Sequence, residues 1–352
     1  APLPISNFKG IDVLAGPRGM TPTADRMYEN VGDRFIDRTD DVLAALPARY
    51  GLNVAMLDVN DDARIDIFVG NDSQGNFLLR NDGDWTFVDI GTSSGAATNL
   101  EGDAQATMGI AVGDVDFNGR PDFYSTNFSS DTNTLHLNAD GRFFDDGTAR
   151  FGLAASTRPM LGWACAFGDF DLDGDEDLVV FNGHVYPQAS YETMDSAYEQ
   201  PPAYWERAGE RFVQVAHAGL GGPHRDRTAV VADLDLDGDL DLVVGELNGP
   251  LRLIENTTDT GRSLRIAPED PLGTTIQVAI EVDGTTRTLT RWLRGGGPFQ
   301  STASPIAHVG LPEGAVVTSI EVEWPGGETV EVGERERLSS GRVHVARPSK
   351  KR

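Results

Sequence analysis

The chain has 352 residues, 55 acidic and 29 basic, for a formal net charge of −26. That balance excludes a nucleic-acid backbone or an anionic membrane as the natural partner. The length is enough for two or more domains with sizeable cores. One cysteine, Cys165, precludes a disulfide within the chain and a cysteine zinc site, and it reads as a small buried hydrophobe. No apolar run approaches a membrane span.

The first residue is Ala1, not Met, so the expectation is that a signal peptide or pro-segment has been removed. Ile11-Asp12-Val13-Leu14 has the look of the end of a degenerate repeat, and Tyr28–Phe35 has a hairpin pattern. The first complete repeat follows. Val54–Leu57 is a short apolar strand, Asp58–Asp66 a nine-residue acidic loop, and Ile67–Gly70 a second strand. Leu79–Phe87, with Asp82-Gly83 between apolar positions, is a hairpin. The same order recurs at Ile110–Gly113, Asp114–Asp122, Phe123–Thr126 and Leu137–Phe143. It recurs again at Ala164–Gly168, Asp169–Asp177, Leu178–Phe181 and Trp205–Phe212. Ala229–Ala232, Asp233–Asp241, Leu242–Gly245 and the shortened Leu253–Asn256 complete the series. Continuous apolar runs of this length read as strands buried on both faces. Each unit is strand, loop, strand, hairpin, which makes a four-stranded blade. A period of 55–64 residues marks a repeat architecture of about five units before residue 258.

The loops carry the chemistry. Position 1 is Asp58, Asp114, Asp169 or Asp233; position 3 is Asn60, Asp116, Asp171 or Asp235. Position 5 is Asp62, Asn118, Asp173 or Asp237, and position 9 is Asp66, Asp122, Asp177 or Asp241. Position 7 offers a backbone carbonyl from Arg64, Arg120, Asp175 or Asp239. Oxygens at this spacing wrap a hard cation, and calcium takes six to eight oxygens. The expectation is therefore about four Ca²⁺, structural in role, since the loop fills most of each coordination shell. At a site affinity of ~0.1 mM and ~1 mM calcium, each ion adds roughly 1.4 kcal/mol to folding. Position 6 turns sharply and is Gly119, Gly174 or Gly238 in three loops, but Ala63 in the first. That first site is expected to be the weakest.

These repeats resemble the FG-GAP/VCBS blades of integrin α-chain-type β-propellers. Leu161–Leu178, followed by Asn182-Gly-His-Val-Tyr-Pro187, is similar to cartilage-acidic-protein-like bacterial proteins, which end in an ASPIC/UnbV module. The tail matches that module in Gly273–Val278, Arg294-Gly-Gly-Gly297, Ser304–Leu311 and Ile320–Gly327. The resemblance implies an all-β chain: an extracellular, calcium-stabilised β-propeller over residues 1–258 and a small β-sandwich over 259–347, then a disordered tail, 348–352. It implies no single activity.

Strands Thr275–Val282 and Thr318–Trp324 alternate as half-buried strands do, with turns at Asp283-Gly284 and Pro325-Gly326-Gly327. The insertion Tyr186–Tyr204 carries Tyr186, Tyr191, Met194, Tyr198 and Tyr204 and offers a binding surface or a rim cover. His136, His217 and His308 add no recognisable motif. His184, His224 and Arg227 are weak catalytic candidates; with Arg158, Trp163, Arg225, Glu101 and Asp103 they could line a pocket at a propeller's central channel. No Ser-His-Asp, His-Glu-x-x-His, P-loop or GxGxxG constellation is present. The leading expectation is a secreted or periplasmic binding or adhesion module for a protein or carbohydrate ligand. The alternative is an enzyme of lyase, dehydratase, isomerase or cyclase type working in that channel, and a third reading is a subunit of a larger assembly.

Overall fold

A computed structural model describes residues 4–216, 218–258, 261–332 and 341–348. The expected disordered tail lies outside the described residues except for Pro348, and so does His217. The chain opens with two antiparallel ribbons, β1 (Ile5–Phe8) with β2 (Ile11–Leu14), and β3 (Tyr28–Asn30) with β4 (Phe35–Asp37). The degenerate first repeat is thus two ribbons and not one four-stranded blade.

Four meander sheets follow. The first contains β5 (Gly51–Leu57), β6 (Asp66–Asn71), β7 (Phe77–Gly83) and β8 (Thr86–Asp89). The second contains β9 (Ile110–Gly113), β10 (Asp122–Ser125), β11 (Thr134–Asn138) and β12 (Phe144–Asp146). The third contains β13 (Gly162–Gly168), β14 (Asp177–Asn182), β15 (Ala203–Ala208) and β16 (Arg211–Val215). The fourth has three strands, β17 (Asp226–Ala232), β18 (Asp241–Glu246) and β19 (Leu251–Ile254). Each acidic loop joins the first and second strands of its blade, so all four loops fall on one face. The shortened fourth hairpin explains the missing outer strand.

Blades pack face to face through the apolar runs. Phe68 of the first blade stacks on Phe123 of the second at 4.6 Å, and Phe144 continues the stack. Ala111, Tyr124 and Leu135 meet Cys165, Phe167 and Leu178 between the second and third blades. Cys165 is buried, as its apolar setting suggested. Ala164, Val179 and Tyr204 meet Ala229, Leu242 and Val244 between the third and fourth. Each fully buried Phe or Leu in these seams stabilises by roughly 1.5–3 kcal/mol.

The C-terminal domain is a two-sheet sandwich. β20 (Arg262–Pro268) lies between β24 (Ala307–Leu311) and, in parallel, β27 (Gly341–Val345). The facing sheet is ordered β22 (Thr285–Leu293), β21 (Thr274–Val282), β25 (Val316–Trp324), β26 (Glu328–Val332). Residues between the two sheets, among them Ile276, Val278, Val309 and Trp324, are fully buried.

This domain is not a separate unit. Between β22 and β24 its chain leaves the sandwich, and β23 (Gly295–Gly296) pairs with β5, the innermost strand of the first blade. Gly297 N–H donates to Val54 O at 3.0 Å, and Ile110 N–H of the second blade donates to Gly297 O at 2.9 Å. Phe299 packs edge-on to Trp163 of the third blade at 4.7 Å, and Ser301 Oγ donates to Ala229 O of the fourth at 2.7 Å. One segment therefore touches the inner strand of every blade and fills the axis around which they are arranged. Gly296 is required there: at φ +73° its backbone lies so close to Val54 that a Cβ would sit 1.9 Å from the carbonyl oxygen.

Candidate metal-binding loops capped by the C-terminal domain

Every loop is folded by its own carboxylates. The position-1 carboxylate accepts from the position-6 N–H: Ala63 to Asp58 at 2.5 Å, Gly119 to Asp114 at 3.0 Å, and Gly174 to Asp169 at 2.9 Å. Position-3 and position-5 oxygens accept from the residue two places on, as in Asp173 N to Asp171 at 3.3 Å and Asp175 N to Asp173 at 2.9 Å. These are Asx turns. They set two left-handed residues per loop. Position 4 (Asp61, Phe117, Leu172, Leu236) has φ between +58° and +70°, and position 6 is left-handed in all four.

The position-9 aspartate is the anchor. One oxygen accepts from the position-2 N–H and the other from the blade's third strand or just beyond it. Asp66 is held by Val59 and Asn81, Asp122 by Val115 and Asn138, Asp177 by Phe170 and Arg207, and Asp241 by Leu234 and Asn256. Tyr204 from the aromatic insertion also donates to Asp177 at 2.6 Å. Two of these asparagines then reach across a seam. Asn138 Nδ2 donates to Val59 O of the preceding blade's loop, and Asn256 Nδ2 to Phe170 O, both at 2.8 Å.

In three loops the acids converge enough to hold a metal ion. Ligand oxygens of Asp114, Asp116 and Asp122 lie within 4.8 Å of one another, as do those of Asp169, Asp171 and Asp173, and of Asp233, Asp235 and Asp237. Burial is the main cause of a raised carboxyl pKa here, with like-charge repulsion adding to it. Asp66, Asp114 and Asp177 are pushed up to about 7 and Asp122 to about 8, while Asp169 rises well above its ordinary range. Asp114 Oδ1 and Asp239 Oδ1 are buried with no hydrogen-bond partner. Buried acids with orphaned oxygens are the environment in which a divalent cation fits.

The first loop differs. Asn60 Nδ2 donates to Asp62 at 2.9 Å, Arg64 pairs with Asp62 at 2.5 Å, and Arg120 pairs with Asp61 at 2.6 Å. Arg64 and Arg120, at position 7, were expected to point away from an ion. Arg120 does turn to the neighbouring loop, but Arg64 folds back onto its own.

The C-terminal domain sits on this loop face. Gly326 N–H donates to Ala63 O at 2.7 Å, and Arg287 pairs with Asp175 at 2.9 Å. Ser263 Oγ and His308 Nε2 both donate to Gly238 O, at 2.5 and 2.9 Å, and Arg265 pairs with Asp233. His308 is neutral, its pKa pushed down to about 4 by burial.

The catalytic candidates do not assemble. His184 is buried among Phe8, Phe128 and Tyr186, accepts from Tyr186 N at 3.0 Å on Nδ1, and shares a bond with Ser129 Oγ at 3.1 Å. Arg227 stacks on Trp163 and donates to the carbonyls of Gly183 and His184, both at 3.1 Å. His224 lies 3.4 Å from Glu246, which Arg225 also engages at 3.0 Å. Glu101 and Asp103 are exposed on a loop, as is Arg158 on another. The central-channel pocket expected for them is filled by Phe299 against Met108, Leu161 and Trp163. The aromatic insertion divides: Tyr204 is core, whereas Tyr191 is 53% exposed.

Blades that each hold an aspartate loop between their first two strands define an FG-GAP type of repeat. An FG-GAP-like repeat profile matches residues 58–125 and 114–180, and an ASPIC and UnbV profile matches 267–350. The chain therefore carries FG-GAP-like repeats followed by an ASPIC/UnbV domain. It is similar to cartilage acidic protein 1 of Xenopus tropicalis, with 29% identity over 311 residues, 82% of this chain and 44% of that protein. The Homo sapiens protein of that name is 27% identical over 292 residues, 80% of this chain and 42% of that protein. The chain thus spans under half the length of the curated relatives it matches. Among solved structures, a lectin from Burkholderia pseudomallei aligns at TM-score 0.36 and 11% identity, covering 82% of this chain and 87% of that one. An Agrocybe aegerita lectin that recognises terminal N-acetylglucosamine aligns at TM-score 0.34 and 18% identity, covering 62% of this chain and 58% of that one. Likeness this loose carries no ligand across.

Proposed function

We propose that this chain is a calcium-stabilised binding module of the extracellular or periplasmic space, with a protein or carbohydrate ligand taken on its outer surfaces. The observation that carries the reading is the set of three aspartate triads on one face, with buried carboxylate oxygens of Asp114 and Asp239 that have no hydrogen-bond partner. Calcium there is structural: the ions lock each loop to the third strand of its blade and to the C-terminal domain. An extracytoplasmic setting supplies the ~1 mM calcium that loops of this kind need. The resemblance to cartilage acidic protein 1 supports that setting, and among the described residues no helix is long and apolar enough to cross a membrane. The filled axis and the structural engagement of His184, His224 and Arg227 favour binding over catalysis in the channel.

Thermal unfolding with and without excess EGTA, beside a metal count by mass spectrometry, tests this. Three or four calciums per chain and a large fall in Tm on chelation are expected. No bound calcium and an unchanged Tm would reduce the loops to turns and remove the reading.

A further inference from the structure

Beneath the axial segment, between the second, third and fourth blades and the C-terminal domain, lies a cavity of about 170 Å³. It has room for several waters or one small ion. Its apolar wall is built from Phe167, Leu240 and Trp292. Its charged wall is one-sided: Arg265, Arg291, Arg294 and Arg342 face only two carboxylates, Glu176 and Asp233.

The two acids are already in use. Arg291 Nε lies 3.4 Å from Glu176, whose other oxygen accepts from Asp114 N at 3.2 Å, and Asp233 is taken by Arg265. The same Arg291 Nε–H donates to the carbonyl of His308 at 3.2 Å, and Nη1 donates to that of Thr290 at 2.9 Å. What remains is a set of enclosed donors without acceptors. Arg294 Nε, Arg291 Nη2 and Arg265 Nε are buried and have no hydrogen-bond partner. Among the described residues no carboxylate lies within ion-pairing distance of Arg294. Burial lowers its pKa only to about 10, so it stays charged at neutral pH. Arg342 stands exposed on the same lining.

An unpaired buried guanidinium costs several kcal/mol unless a counter-charge reaches it. Forked N–H groups match the oxygens of a planar or tetrahedral oxyanion. We propose that this junctional cavity binds a small oxyanion, a carboxylate or a sulfate- or phosphate-like group, held by Arg294 and Arg291. In that role the anion completes the contact between blades and C-terminal domain. The cavity borders the third and fourth aspartate loops through Glu176 and Asp233, but Arg291 and Arg294 belong to the C-terminal domain and to neither loop.

Calorimetric titration of the full chain tests it, with sodium sulfate and sodium acetate as separate probes at constant ionic strength made up with chloride. Saturable binding of at least one is expected, and the stronger of the two identifies the oxyanion class. R294Q should weaken it at least about tenfold, while R294K, which keeps the charge and loses the fork, should weaken it less. R294Q should also unfold at a higher temperature than wild type in chloride alone, because an unpaired charge has gone. If R294Q does not fold, R294K carries the comparison, with a severalfold loss expected. No saturable binding of either probe overturns the proposal, and so does binding of undiminished strength in R294Q, or in R294K where that variant alone folds.

Discussion

The first and third loops share one spacing and differ in almost everything that decides what the spacing does. In the third, the ring holds four carboxylates, the turn is Gly174 at φ +92°, and the guanidiniums that reach the loop pair with side chains outside the ring, Arg287 with Asp175 at position 7 and Arg291 with Glu176 at position 8. In the first, an amide replaces one acid, Ala63 takes the left-handed turn at φ +60°, and Arg64 closes on Asp62. One loop is short of positive charge, and the other supplies its own. The comparison shows that ligand spacing specifies where a cation goes, while the residues between the ligands specify how much it is needed.

The largest break in that comparison is at the anchor. Asp177→Ala removes the proposed position-9 ligand and the carboxylate that accepts from the N–H groups of Phe170 and Arg207 and from the hydroxyl of Tyr204. A loss of about 3 kcal/mol is expected by urea denaturation with calcium present, and less in EGTA. Asp66→Ala in the first loop should show a smaller calcium-dependent part.

Chelation comes next. Titrating calcium into the stripped chain should fill the second and third loops before the first, at roughly 1.4 kcal/mol per site at ~1 mM. Metal counts on D114A and D58A would read the order. Equal losses from the two variants would erase the distinction drawn between the loops.

The pH dependence sharpens it further. Asp114, Asp122 and Asp177 have folded pKa values raised to about 7, 8 and 7. Without metal, their contribution is present in acid and is lost as pH rises from about 4 to about 8. With calcium, which binds the ionised carboxylates, stabilisation grows over the same window. The gap between the two Tm curves should therefore widen with pH. His184 and His308, whose pKa values fall to about 4, contribute above pH 6.5 and lose that contribution as pH falls. They do so in both curves, so the gap isolates the carboxylates. A gap that is constant with pH would sink this account.

The smallest effect is at position 6. Ala63→Gly should stabilise by about 1 kcal/mol by relieving the left-handed turn. Gly174→Ala should cost more, because a Cβ there would also meet Pro312 Cδ at 3.0 Å. Paired thermal melts check both.

The acidic loops, their flanking strands and the sandwich strands were legible because each rests on local chemistry: carboxylate spacing, apolar runs, and the alternation in Thr275–Val282. The asparagine clips were not legible, since Val59 O and Phe170 O are brought near only by blade packing. The axial segment was not legible. Arg294-Gly-Gly-Gly297 entered only as part of the likeness to the C-terminal module, and nothing local says that it pairs with Met56 and Ala55, some 240 residues earlier. The arginine-lined cavity was hidden for the same reason, because its residues come from three blades and a second domain.

The axial segment has a consequence for how the molecule is made. Its partners on β5 leave the ribosome long before residues 295–301 do, so the inner strands must wait, exposed, until that segment emerges. Contacts of such sequence separation form late and slowly. The blades then gain their centre only once that segment has emerged, and a chain cut short before it remains a set of blades without a centre.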